Sequence, residues 1–281
     1  MELFWNIWQN LPLYIEPEIF SAGFFSLRWY SLGYLAAFAT ILLLILYRIR
    51  QNELPRFSRD KLSKDQQKDL LFNIFLVSAL GMLLGARIGY FLFYDWQGLI
   101  ENPAEVFLPI RSGELQGFFG MSFHGGVLGA LLSAFAYAKW KQVNFSKLLD
   151  FFIPAVPLAY FWGRMGNFFN KELFGKITEK SWGMRFESSG SALRHPTQLY
   201  EAFLEGIVIF LILWPLRNKK FFQGKFLGIY LILYGIFRFL IEFFRQTPPE
   251  HFVLNFFTLG QVLSLALIAG GGYLLQNNKR F

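Results

Sequence analysis

The 281-residue chain has no cysteine. That excludes disulfides, a thiol nucleophile of its own and thiolate metal sites. Charge is also scarce. Asp, Glu, Lys and Arg make up 16% of residues, well below the share of a soluble domain. The three histidines do not form a metal-spaced cluster. There is no Gly-rich nucleotide loop, no Gly-x-Ser-x-Gly elbow, no internal repeat and no soluble second domain. The first 27 residues hold no Lys or Arg, so a secretory signal, which starts with positive charge, is not expected.

What fills the chain is apolar: 54% hydrophobic, 20% aromatic, mean hydropathy +0.35. Such a chain cannot cover its apolar surface with polar groups, so part of its solvent is lipid. The net charge is +8. It sits in loops between apolar runs, which points to anionic headgroups and topology rather than nucleic acid. Seven runs come close to the length that a bilayer core requires, at 28–47, 70–94, 119–138, 148–163, 197–216, 226–244 and 257–275. The fourth is short and carries Pro154 and Pro157, which predicts a kink or break. Residues 1–27, with Trp5, Trp8, Tyr14 and Phe20, read as an interfacial segment in the aromatic belt. The expected fold is an all-α polytopic membrane protein, a single domain over residues 1–281.

Loop charge sets the expected orientation. Arg48, Arg50, Arg56, Arg59, Lys61, Lys64 and Lys68 follow the first run. Lys139, Lys141 and Lys147 follow the third, and Arg217, Lys219, Lys220 and Lys225 the fifth. Lys279 and Arg280 lie in the tail. These alternate segments belong inside, so the N-terminus is expected outside and the C-terminus in the cytoplasm. Segment 164–196, read as an extracytoplasmic loop region, breaks the bias with Arg164, Lys171, Lys176, Lys180, Arg185 and Arg194. An anionic ligand is one reason for basic residues there. Asn144-Phe145-Ser146 matches a glycosylation acceptor but falls on the inner side and is discarded. Gly81, Gly85 and Gly89, four apart, form a small-residue face for helix packing.

Polar side chains gather in the outer slab of six runs. They are Tyr30, Arg87, His124, Arg164 with Asn167, His195, and Arg238 with Glu242 followed by Arg245. Arg238 lies on the order of 10 Å below the outer end of its run. Each has a structural alternative. Arg238 and Glu242, i and i+4, neutralise each other or line a cavity, and Tyr234 and Arg245 extend the same face. Arg87 points into the bundle beside the glycine face or touches substrate. His124, followed by two glycines, makes an interhelical bond or lies where a backbone or ligand approaches closely. His195 before Pro196 reads as a helix N-cap with Pro at N1. Tyr30 reads as a belt anchor, and Glu201 and Glu205 as packing partners. The set Arg164, Asn167 and Glu172, bounded by glycines, is the hardest to explain structurally.

Two outer-slab arginines suit a phosphate, being planar, permanently charged, bidentate donors. A phospholipid headgroup is the phosphate available at that depth. The residues thus describe a protein that binds an anionic lipid headgroup in the outer leaflet, with a histidine nearby to move a proton. A transporter predicts polar groups in both membrane halves and paired broken helices. In an intramembrane hydrolase, Ser122 would sit too close to His124 in sequence for an evident dyad.

Six stretches resemble the prolipoprotein diacylglyceryl transferase family, in family order across nearly the whole chain. They are Arg28-Trp29-Tyr30, Gly85 to Tyr90, Met121 to Gly126, Gly163 to Gly175, His195 to Glu201 and Tyr234 to Arg245. The resemblance implies seven spans with the N-terminus outside the bacterial inner membrane. It implies transfer of the diacylglyceryl group of phosphatidylglycerol to the thiol of the lipobox cysteine in a prolipoprotein signal peptide. The products are a thioether and glycerol phosphate, and no metal or diffusible cofactor is used. The missing cysteines fit, because the nucleophile belongs to the peptide. Carried over by motif are Tyr30, His124, Arg164, Asn167, Glu172, Gly175, Arg238 and Glu242. Arg164 and Arg238 are expected to clamp the phosphate, Tyr30 and Asn167 to orient the headgroup, and Glu172 and Glu242 to hold the arginines. Arg87, Tyr234, Arg245 and His195 are expected in support, Arg87 as a further headgroup contact. His124, or arginine fields alone, would deal with the thiol proton. The segment between Gly175 and His195 is shorter than in family members with insertions there.

Overall fold

The computed structural model describes residues 1–22, 25–54, 57, 62–106, 108, 110–111, 114–115, 120–248, 252–253 and 256–277. Arg56, Arg59, Lys61, Lys279 and Arg280, used above for orientation, lie outside the described residues. The chain is mostly helical. The helices are α1 (Glu2–Asn10), α2 (Trp29–Arg50), α3 (Lys64–Tyr94), α4 (Trp96–Glu101), α5 (Phe123–Trp140), α6 (Phe145–Phe152), α7 (Val156–Phe169), α8 (Thr197–Leu216), α9 (Phe226–Glu242) and α10 (Leu259–Gln276). Three two-stranded antiparallel ribbons depart from the all-α expectation: Glu18–Ala22 with Phe25–Arg28, Ile110–Arg111 with Glu114–Leu115, and Phe252–Val253 with Phe257–Thr258. Among the described residues, four helices, α2, α3, α8 and α10, are long and apolar enough to cross a membrane. The chain, read from sequence as one domain, divides into two compact units, residues 1–47 with 149–281, and residues 48–148.

Residues 48–148 are built on α3 against α5. The glycines predicted as a packing face are that face. A Cβ at Gly89 would come within 2.8 Å of the Gly125 Cα, and one at Gly85 would strike the Gly125 carbonyl. In lipid the hydrophobic effect between helices is absent, so close backbone approach must supply the contact. Gly125 and Gly126 after His124 are thus used in helix packing. Caps mark the helix starts. The Ser63 side chain accepts from Gln66 N while Gln66 returns a bond to Ser63 N, a capping box, and Ser122 caps α5 through Gly125 N.

In the other unit, α7 lies among α2, α8 and α9. The predicted break near Pro154 and Pro157 is a 3-10 turn, Ile153–Ala155, between α6 and α7. Ile153, Ile209, Leu213 and Phe226 form a buried core beside it. The Asp150 carboxylate accepts from the N–H groups of Gly224 (2.6 Å) and Phe226 (2.9 Å), capping the start of α9. Tight glycines seat α9 on α10: a Cβ at Gly235 would lie 2.8 Å from the Ser264 carbonyl. Residues Ala202–Val208 of α8 are π-helical.

One boundary differs in a way that matters. The outer loop expected from residue 164 begins at Asn170, because α7 runs through to Phe169. Arg164 and Asn167 are helical, and their polar groups are met along the helix at i−4 and i+3, so the charge does not end it. The helix stops where Lys171 and Leu173 both take φ of +58°, a left-handed conformation uncommon outside glycine.

Candidate functional site

The site is built from the C-terminal ends of α7 and α9, the N-terminal end of α8 and the loop that follows α7. Its centre is Glu201, on the first turns of α8 and only 1% exposed. One carboxylate oxygen, Oε1, accepts from Arg238 Nη1 at 2.8 Å and from Arg245 Nη1 at 2.5 Å. The other, Oε2, lies 2.8 Å from Arg164 Nε. Glu242 faces two of the same arginines: its Oε2 is 3.1 Å from Arg238 Nη2 and 3.5 Å from Arg245 Nε, and Thr247 donates to its Oε1. Gly260 leaves the space that this carboxylate fills, since a Cβ there would lie 2.7 Å from it. Burying isolated charges would be prohibitive; here each guanidinium has a carboxylate within reach.

Arg164 carries the network across to α7. Its Nε donates to the Tyr160 hydroxyl at 2.6 Å, and its Nη1 to Asn167 Oδ1 at 3.1 Å. Asn167 Nδ2 then donates to Glu172 Oε1 at 2.7 Å. The Tyr160 hydroxyl donates in turn to Glu205 Oε2 at 2.5 Å. The Tyr160 ring meets the Tyr234 ring edge-on, with centroids 5.8 Å apart. After these bonds, Arg164 Nη2, Arg238 Nε and Arg245 Nη2 have no partner among the described residues. None of the three is a sealed, unsatisfied atom. The arrangement presents spare cationic donors from two elements, which is what a phosphate oxygen accepts.

Two expectations about the acids are corrected here. Glu172 pairs with no arginine directly among the described residues; lying beyond the end of α7, it accepts from Asn167, which in turn accepts from Arg164. Glu201, read as a packing partner, is the carboxylate that three arginines share. The signal was present: an acid inside an apolar span is functional by default, and the outer arginines required more negative charge than Glu242 supplies. Tyr160 was missed because a tyrosine in an apolar run reads as packing.

The loop after α7 is stitched to the start of α8. Thr197 Oγ1 donates to the Leu173 carbonyl (2.9 Å) and Gln198 Nε2 to the Glu172 carbonyl (2.5 Å). Gly175 N–H donates to the His195 carbonyl at 2.8 Å, and Gly175 forms a β-bridge with Arg245. A Cβ at Gly175 would collide with the Phe244 carbonyl, so glycine is required for the backbone to hold Arg245 there.

His195 is not the N-cap of α8; that position is Pro196. Its backbone is occupied by Lys176 and Gly175, and its Nδ1 lies 3.0 Å from the Tyr200 hydroxyl, which also accepts from Trp182 Nε1. Burial, reinforced by Lys176 and Lys180, pulls the His195 pKa below its ordinary value. The imidazole is therefore neutral near pH 7 and hydrogen-bonded to the tyrosine. The Tyr30 hydroxyl pairs with the Tyr34 hydroxyl at 3.0 Å, while the Tyr30 ring lies against Gly166, where a Cβ would come within 3.0 Å of it.

Arg87 and His124 belong to residues 48–148. Arg87 is buried, with Nε donating to the Val106 carbonyl and Nη1 to the Gly120 carbonyl, each at 3.2 Å, and its guanidinium over the Phe91 ring. These bonds tie the segment after α4 to α3. His124 is exposed on the first turn of α5 and has no hydrogen-bond partner among the described residues.

A family model described as prolipoprotein diacylglyceryl transferase matches residues 17–276. The chain is similar to three proteins named phosphatidylglycerol–prolipoprotein diacylglyceryl transferase. That of Chlorobaculum tepidum is 42% identical, covering 97% of this chain and 93% of the relative. That of Campylobacter hominis is 39% identical, covering 95% and 92%. That of Pseudoalteromonas atlantica is 43% identical, covering 92% and 87%.

Proposed function

Because the chain belongs to the prolipoprotein diacylglyceryl transferase family, we propose that its arginine cluster is where phosphatidylglycerol gives up its diacylglyceryl group. The acceptor is the lipobox cysteine thiol of a prolipoprotein. The new bond is sulfur to glycerol carbon; the bond broken joins that carbon to a phosphate oxygen. The electron pair leaves with glycerol phosphate. The enzyme is a transferase of the bacterial inner membrane, with seven spans, the N-terminus outside and the site open to the outer leaflet.

The observation that carries this reading is the shared Glu201 carboxylate with its three arginines, each keeping one nitrogen without a partner among the described residues. The leaving phosphate gains charge in the transition state, and cations already fixed in place stabilise it without reorganising. Glu201 and Glu242 do the fixing; Asn167 and Glu172 hold the far edge of Arg164. A thiol of pKa ~8.5 is mostly protonated at neutral pH and must lose its proton. His124, exposed and unpartnered, is assigned the proton; Tyr30 orients the headgroup.

The test is a mass shift. Purified protein is incubated with phosphatidylglycerol and a lipobox peptide. Addition of a diacylglyceryl group supports the transferase. Cleavage of the peptide points to a hydrolase, and no change points to a transporter. His124→Gln with near-normal turnover and intact lipid binding would remove the histidine from the mechanism.

A further inference from the structure

Glu205 has no part in the scheme above, yet it is fully buried one turn beyond Glu201. No arginine pairs with it among the described ion pairs. One of its oxygens accepts the Tyr160 hydroxyl, and the other, Oε1, has no hydrogen-bond partner among the described residues. A buried carboxyl oxygen left this way is costly, and mere packing does not account for it. The backbone is arranged to bring it there. Glu205 lies in the π-helical stretch Ala202–Val208, a distortion that recurs at functional sites. The next residue, Gly206, lets α8 approach α7 closely, since a Cβ would lie 2.8 Å from the Phe161 Cβ.

The consequence falls on Tyr160. A phenol has one proton. With that proton committed to Glu205, its oxygen lone pair is turned to Arg164 Nε, 2.6 Å away. Glu201 Oε2 is also within 2.8 Å of that nitrogen but accepts no aligned hydrogen bond. The aligned partner of Arg164 Nε is therefore the tyrosine. Its direction fixes the plane of the guanidinium, and hence where the unpartnered Nη2 points.

We infer that Glu205 is a positioning residue: acting through the Tyr160 hydroxyl, it aims Arg164 at the phosphate of the lipid substrate. The inference rests on the lipid-phosphate reading of the cluster. Misaiming a donor by an ångström costs on the order of 100-fold in rate. Glu205→Leu and Tyr160→Phe should each lower kcat about 10- to 100-fold with KM changed much less. The double variant should be no slower than the slower single, because both break one chain of contacts. Glu205→Gln keeps an oxygen that accepts the tyrosine proton and should restore most of kcat.

The experiment is steady-state transfer from phosphatidylglycerol to a lipobox peptide, with thermal unfolding recorded for every variant. Multiplying effects, an unchanged kcat in Glu205→Leu, or Glu205→Gln as slow as Glu205→Leu would each overturn the inference. If Glu205→Leu does not fold, Tyr160→Phe carries the test, and an unchanged kcat there is enough to overturn it. Loss of transfer by the wild-type protein itself would instead bring down the reading beneath.

Discussion

Two helix contacts in this chain solve the same problem in opposite ways. Helix α3 meets α5 glycine to glycine, with backbone against backbone. Helices α7, α8 and α9 meet through arginines, carboxylates and tyrosines. In lipid both work, since neither relies on squeezing out water. They differ in what they leave over. The glycine contact is complete once made. The ionic contact keeps one nitrogen on each of three arginines without a partner among the described residues, and that remainder is the proposed binding site. The first contact holds; the second holds and is also primed.

The comparison breaks most visibly at Glu201. Glu201→Ala removes the carboxylate that three arginines share and leaves Glu242 to face Arg238 and Arg245, a loss of about 3–5 kcal/mol by the usual cost of halving a buried pair. Transfer should vanish and the melting temperature fall sharply, both read on protein in detergent. Retained stability would mean the arginines are paired elsewhere. Next comes Arg164→Lys. It keeps the charge but loses the fork that spans Tyr160 and Asn167. Turnover should drop about 100-fold, the usual worth of one transition-state donor, with little change in melting. A fall in melting to match that of Glu201→Ala would erase the distinction between holding and gripping.

Gly85→Val probes the other contact. Its side chain has no room against Gly125 and Gly129, so the helices must part at a cost of about 1–3 kcal/mol. Here activity should follow stability across temperature, unlike Arg164→Lys. The smallest effect is at His195. Its folded pKa is lowered, so the unfolded chain binds the proton more readily. Its contribution is present above the unfolded value of ~6.5. It is lost as pH falls from there toward the folded pKa. Melting followed from pH 8 to pH 5 should decline less steeply in His195→Gln than in the wild type.

The contrast also marks how far the sequence could be read. A glycine every fourth residue announces close packing without help, as Gly81, Gly85 and Gly89 did. The arginines and Asn167 were visible as polar groups where lipid forbids idle ones. Pairing was not visible, since Glu201 and Arg238 are far apart in sequence and meet only through the fold. Glu172 is expected to hold an arginine, but between left-handed Lys171 and Leu173 it accepts from Asn167. That Arg87 bonds the carbonyls of Val106 and Gly120 is likewise set by the fold and not by its neighbours in sequence. A tyrosine such as Tyr160 gives no sign of its partner until both helices are in place.

Lipid retention measures the central claim most directly. The protein is loaded with phosphatidylglycerol or with diacylglycerol, which has no phosphate, and bound lipid is counted by native mass spectrometry. The wild type should hold phosphatidylglycerol much more tightly than diacylglycerol, and Arg164→Ala with Arg238→Ala should abolish that preference. Equal retention of phosphatidylglycerol by the wild type and the double variant would show that the phosphate is gripped somewhere else.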